Sequence, residues 1–176
     1  MECPDRDGYC VIKGRSHFYN SVSFSPTNPQ LLLSISENSI VQQWDINGHQ
    51  TGPSYEGNCA IFSPDGTCFV IWTASASIVT VWNSDSGAVV AKLPDNNIDE
   101  CCFSPNGKFL ACSNSQNIHI WDLTSPDPCI VETIEAPYGR IAFSSYHIFI
   151  QSNESIQFYP IGTLSMDLAA TDSEPT

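Results

Sequence analysis

The sequence predicts an all-β fold in which one pattern of short strands recurs along the chain, and three observations predict it. First, Cys101 to Asp122 holds three short apolar runs separated by two polar turns, with Phe103, Leu110, Ile118, Ile120 and Trp121 on the strand faces. Second, the same pattern returns: Phe24, Phe62, Phe103 and Phe143 lie 38, 41 and 40 residues apart, and Trp44, Trp82, Trp121 and Tyr159 lie 38, 39 and 38 apart. Third, Gly and Pro fall at regular turn positions, which favours strands over helices.

Taken in order, residues 1–8 read as a flexible N-terminus, and Tyr9-Cys10-Val11-Ile12 as a short strand. The first copy then runs through Val22-Ser23-Phe24-Ser25-Pro26, Leu31-Leu32-Leu33, a polar turn at 36–39, and Ile40 to Asp45. The second has Ala60-Ile61-Phe62-Ser63-Pro64-Asp65-Gly66, Cys68 to Trp72 and Ile78 to Asn83, and the third is the Cys101 to Asp122 stretch. In the third, Ser104-Pro105-Asn106-Gly107 sets φ with Pro and offers an easy positive φ at Asn-Gly, so it is a hairpin turn. A decayed fourth copy follows at Ile141-Ala142-Phe143, Ile148-Phe149-Ile150 and Ile156 to Tyr159.

A fourth strand fits between copies at Gly87 to Leu93 and at Cys129 to Ile134. After the first copy, His49 to Ser54 is a weaker candidate because Gly52-Pro53 interrupts it. A period near 40 residues with four short strands per period is the signature of a propeller blade. The predicted architecture is therefore a partial β-propeller of about four four-stranded antiparallel blades over residues 9–165. Its repeats centre on 20–54, 58–93, 99–134 and 139–162, and an acidic disordered tail spans 166–176.

These residues resemble WD repeats. The match rests on Phe-Ser-Pro-Asp/Asn-Gly in the first hairpin and on Trp44-Asp45 and Trp121-Asp122, with Trp82-Asn83 a near match. It covers roughly Ser21 to Ile161. The family-type repeat residues are Phe24, Trp44, Asp45, Phe62, Trp82, Phe103, Trp121, Asp122, Phe143 and Tyr159. The chain departs from the family in lacking its Gly-His pair, for which Gly14-Arg15 and Gly57-Asn58 are the nearest relics. The Asp usual in the turn before the Trp strand is replaced by Glu37-Asn38, Ala76-Ser77 and Ser115-Gln116. The expectation is that the family's His-Ser/Thr-Asp-Trp network cannot form. Each bond lost is worth ~1 kcal/mol, which leaves packing to hold the blades.

Four blades are few for this family. An open arc exposes a sheet face at each end, and covering roughly 400 Å² of apolar surface contributes on the order of 10 kcal/mol per face, comparable to a domain's whole stability. The solutions are a fragment of a longer chain, a partner that completes the ring, or a small closed ring with Tyr9 to Ile12 as an outer strand of the last blade. The first two are favoured.

The formal net charge is -13, from 19 acidic and 6 basic residues, and the basic residues are scattered. A phosphate backbone or anionic membrane needs a basic footprint, so neither nucleic acid nor membrane is expected as a partner. Residues 1–6 hold no apolar core of a signal peptide. The uncharged run from Gly66 to Ser84 alternates like paired strands rather than a membrane span. Eight cysteines in such a chain read as thiols, and Cys59, Cys68, Cys101 and Cys112 sit inside apolar strand patterns. The expected location is intracellular, most simply cytoplasmic.

Catalytic chemistry finds little footing. His17, His49, His119 and His147 have no metal-ligand spacing to one another or to Cys, there is no C-x-x-C, and no phosphate loop or nucleophile elbow occurs. No cofactor and no enzyme activity are expected. Trp72 is the odd side chain, because it falls where the third copy has Ser113. Exposed near the channel mouth it would be a partner-binding hot spot; otherwise it fills space freed by the missing network. Together with the resemblance, these readings imply a non-catalytic protein–protein interaction scaffold, part of a larger propeller or assembly. The alternatives are a structural remnant of a truncated array and, last, an enzyme with a channel active site.

Overall fold

In the computed structural model, residues 19–73, 77–136, 139–145, 147–151 and 155–161 are described. The expected flexible N-terminus (1–8), the Tyr9 to Ile12 strand and the acidic tail (166–176) lie outside them. Fifteen strands and no α-helix occur among the described residues. They form four antiparallel sheets, each a simple meander. The first holds β1 (Tyr19–Phe24), β2 (Leu31–Ser36), β3 (Ile40–Asp45) and β4 (Gln50–Glu56). The second holds β5 (Cys59–Phe62), β6 (Cys68–Trp72), β7 (Ile78–Asn83) and β8 (Val89–Pro94). The third holds β9 (Glu100–Phe103), β10 (Phe109–Ser113), β11 (Asn117–Asp122) and β12 (Cys129–Glu135). The fourth has three described strands, β13 (Arg140–Phe143), β14 (His147–Gln151) and β15 (Ile156–Pro160). The chain divides into two compact units, Met1–Lys92 and Leu93–Thr176.

Strand composition follows position in the sheet. The second strands carry apolar residues at consecutive positions and are buried on both faces, as Phe69-Val70-Ile71-Trp72 and Leu110-Ala111-Cys112 show. A half-buried strand would alternate instead. β4, β8 and β12 are mostly exposed, as outer edges are. β4 is a full strand despite Gly52-Pro53. Its register on β3 shifts between Gln42 and Trp44, so the Gly-Pro pair sits in a bulge on an edge, where Pro is tolerated.

The first hairpins close as the turn residues dictate. In both good copies the fourth residue's N–H donates to the Ser carbonyl at 2.9 Å, Gly66 to Ser63 and Gly107 to Ser104. Gly66 and Gly107 alone take the positive φ, at 69° and 71°; Asp65 and Asn106 do not need it. Each turn is also capped by its own side chains. Ser104 Oγ donates to Asn106 Oδ1 at 2.7 Å and accepts from the Phe109 N–H at 2.9 Å. Ser63 and Asp65 repeat the arrangement.

The core lies between sheets. In the first unit, Leu33, Ile35, Val41 and Tyr55 pack on Ala60, Phe62, Phe69 and Ile71. Tyr55 makes edge-on contacts with Phe69 at 5.4 Å and Trp82 at 4.5 Å between ring centroids. In the second unit, Phe109, Ala111, Ile118, Ile120 and Ile134 pack on Ile141, Ile148 and Ile150. Fully burying one such side chain contributes about 1.5–3 kcal/mol.

Candidate interaction surface

Strand register decides what each repeat Trp can bond. Trp44, Trp82 and Trp121 stand opposite Leu32, Phe69 and Leu110, so the residues two further along the second strand are Ser34, Ile71 and Cys112. In the first copy that residue is polar, and the Trp44 indole N–H donates to Ser34 Oγ at 2.8 Å. In the second, Ile71 offers no acceptor, and the buried Trp82 Nε1 has no partner among the described residues. In the third, the acceptor comes from outside the sheet. Asp95, 4% exposed, accepts from Trp121 Nε1 at 3.3 Å and lies 2.9 Å from His119 Nδ1. The absence of the family's His-Ser/Thr-Asp-Trp network therefore does not leave every repeat Trp without an acceptor. The sequence lacks the family's residues at the family's positions, but Ser34 and Asp95 supply acceptors of their own. Asp95 lies in the Pro94-Asp95-Asn96-Asn97 turn and reads as a loop residue; the signal was the placement of His119 beside Trp121 on one strand face, two donors that need an acceptor once buried.

The polar residue after each Trp serves the turn that follows. Asp45 Oδ1 accepts from the backbone N–H of Asn47 and His49 at 2.9 and 2.8 Å, and Asp122 Oδ1 accepts from Thr124 N–H at 2.8 Å. Asn83 Oδ1 accepts from Ser86 N–H at 2.8 Å in the same way. Bonds from His49 hold the Asp45 carboxyl below its usual range. Asn is as good an acceptor here as Asp, which is why Trp82-Asn83 works as a near match.

Trp72 is buried at 6% exposure, and its indole N–H has no partner among the described residues. Its register partner is Cys59, as Glu100 is the partner of Ser113. The repeat Phe residues divide. Phe62 and Phe103 are buried, whereas Phe24 is 59% exposed. Val22, two residues before it on β1, is 53% exposed beside it, whereas Ser34 and Leu32, their partners on β2, are buried. At the other end of the chain, Ile156 and Phe158 on β15 are 60% and 63% exposed, and Phe158 meets Phe149 edge-on at 4.9 Å. These two apolar faces are the surfaces on which a partner could gain most by covering carbon.

Among the described residues no group of three or more His, Cys, Asp or Glu is placed to hold a metal ion. Cys101 and Cys112 face each other with sulfurs 3.4 Å apart. Burial pushes the Cys101 and Cys102 thiols up, so both stay protonated and are poor nucleophiles. Ser125, in the irregular loop before β12, is exposed and accepts only a local bond from Asp127 N–H.

A family model described as "WD domain, G-beta repeat" matches residues 87–122, which run from just before β8 to the end of β11. Transcriptional corepressor LEUNIG_HOMOLOG of Arabidopsis thaliana is 27% identical over 125 residues, 69% of this chain and 16% of that protein. Small ribosomal subunit protein RACK1 of Caenorhabditis elegans is 27% identical over 111 residues, 59% of this chain and 34% of that protein. The chain thus spans well under half the length of either. Among solved structures, a chain of the Mitotic Checkpoint Complex superposes with a TM-score of 0.69 at 16% identity, over 84% of this chain and 52% of that one. A protein of unknown function from Desulfotomaculum acetoxidans DSM 771 gives 0.65 at 14%, over 81% and 55%. At these identities the structural likeness is one of fold.

Proposed function

We propose that the chain is a WD40-repeat β-propeller protein, a reading supported by its likeness to the matched family model, relatives and structures, and that it is a non-catalytic scaffold for protein–protein interaction, working as part of a larger propeller or assembly. One observation carries the reading: the apolar faces at Val22 and Phe24, and at Ile156 and Phe158, are left open to solvent. Contiguous exposed apolar surface on a folded chain marks an interaction site. The polar side chains support the same reading, because Asp45, Asp95 and Asp122 are spent on turns and on Trp121 rather than aimed at a substrate. The partners are proteins, and the excess of acidic residues disfavours nucleic acid and anionic membrane. An intracellular and most simply cytoplasmic location fits the matched relatives, a transcriptional corepressor and a small ribosomal subunit protein.

The experiment is cross-linking mass spectrometry on the tagged chain in its own cells. The expected result is reproducible cross-links from the chain to proteins, concentrated on β1, β15 and the loops. A chain that cross-links only within itself, or a purified chain that turns over a substrate, overturns the reading.

A further inference from the structure

The two partly exposed faces carry the two kinds of half-joint that pair inside each unit. In the first unit, the second sheet packs on the first through Ala60, Phe62, Phe69, Ile71 and Trp82. In the second unit, the fourth sheet packs on the third through Ile141, Phe143, Ile148, Ile150 and Tyr159. By strand register these are the same five positions of the repeat: Phe62 pairs with Phe69 and Phe69 with Trp82, as Phe143 pairs with Ile148 and Ile148 with Tyr159. The first sheet carries that set at Val22, Phe24, Leu32, Ser34 and Trp44. There Val22 and Phe24 stand open.

The other half of the joint behaves alike. The first sheet receives the second on Leu33, Val41 and Tyr55, and the third receives the fourth on Ala111, Ile118, Ile120 and Ile134. The fourth sheet repeats this half at Phe149, Ile156 and Phe158, where Ile156 and Phe158 stand open. Each joint inside a unit is therefore a pairing of one half with the other, and among the described residues one of each kind carries exposed apolar side chains, Val22 and Phe24 on one and Ile156 and Phe158 on the other.

We propose that a second copy of the chain covers them head to tail: the β13–β15 face of one copy packs on the β1–β3 face of the next. This rests on the scaffold reading and names one partner for it. Such an interface is heterologous, with two different patches in contact. The four open side chains offer roughly 400 Å² of apolar surface, short of the ~1,200 Å² that stable complexes bury, so association is weak and concentration-dependent. A chain of net charge -13 also repels its copy, so added salt strengthens the contact. A basic partner would respond in the opposite sense.

The test is sedimentation of the 176-residue chain and two variants, Phe24→Glu and Phe158→Glu. Both sites are more than half exposed, so each variant keeps a cooperative melting transition, with Phe158→Glu losing only the edge-on contact with Phe149. Wild type is expected to self-associate in the micromolar range, more at high salt. In each variant one half-joint is disabled, and alone each stays monomeric. Mixed one to one they form a heterodimer, because each supplies the half the other lacks. A wild type that remains monomeric up to its solubility limit overturns the proposal, while leaving the scaffold reading to its own cross-linking test. Variants that associate alone, or a mixture that does not, also overturn it.

Discussion

The indole N–H of Trp121 donates to the carboxylate of Asp95, a residue 26 positions earlier, at 3.3 Å, and the same carboxylate holds His119 Nδ1 at 2.9 Å. One buried acceptor thus satisfies two donors from a single strand. Removing it strands the buried indole N–H, whereas the His119 ring, 21% exposed, can turn to water. Leaving a buried polar group unsatisfied costs about 1–3 kcal/mol, so Asp95→Ala is expected to destabilise its unit by about 1–3 kcal/mol. At ~2–4 °C per kcal/mol for a chain of this size, calorimetry should show a fall in Tm of roughly 2–12 °C. Asp95→Asn keeps one acceptor oxygen and should fall between.

The first and second copies predict a contrast. Trp44 has Ser34 Oγ at 2.8 Å, whereas Trp82 Nε1 is buried without a partner among the described residues. Ser34→Ala and Trp44→Phe should therefore couple, by about 1 kcal/mol, in a double-mutant cycle read by denaturant unfolding. Ile71→Ala and Trp82→Phe, at the equivalent positions, have no hydrogen bond to lose, and any coupling there is packing alone. A larger coupling in the second pair would contradict the register argument.

Asp65 makes the second copy's first hairpin sensitive to acid. Burial raises its pKa, but bonds from Ser63 Oγ at 2.6 Å and from Thr67 outweigh this, and the carboxyl sits below its usual value of 3.8. A carboxyl with a lowered folded-state pKa contributes stability that is present above its unfolded pKa and lost as pH falls through the folded one. Acid unfolding should therefore steepen below about pH 4. Asn106 makes the matching bonds in the third copy without a charge. Asp65→Asn should keep neutral-pH stability within about 0.5 kcal/mol and remove this part of the acid dependence, as a pH series of melting curves would show.

Much of the architecture is legible in the sequence, because turn chemistry and a fixed period are local signals. Phe-Ser-Pro-Asp/Asn-Gly specifies a hairpin by itself, and the spacing from Phe to Trp sets which strand follows. β4 was harder to read. Gly52-Pro53 looks like an interruption until Pro53 is seen to lie in an edge bulge, where its missing N–H is owed to no neighbour. The acceptors of the Trp residues were less legible still. Ser34 lies ten residues before its Trp and Asp95 lies 26 before, and only strand register and the path of the loop bring them together. Exposure of Phe24 and burial of Phe62 cannot be told from their near-identical local sequences, since the difference is whether another sheet packs there.

Trp72 separates packing from recognition. Its indole is buried at 6% exposure and its N–H is unpartnered among the described residues, so its proposed role is to fill space where the third copy places Ser113. Replacing a buried Trp by a small residue costs about 3–5 kcal/mol through lost transfer energy and the cavity left behind. Trp72→Ser should then lower Tm by roughly 6–20 °C, and Trp72→Phe, which keeps a ring and deletes the unpartnered donor, by much less. The complementary measurement is partner capture at a temperature where both variants are folded. Packing alone leaves the cross-linked partners unchanged in Trp72→Phe. Loss of a partner at unchanged Tm would instead make Trp72 a recognition residue that becomes accessible in the assembly.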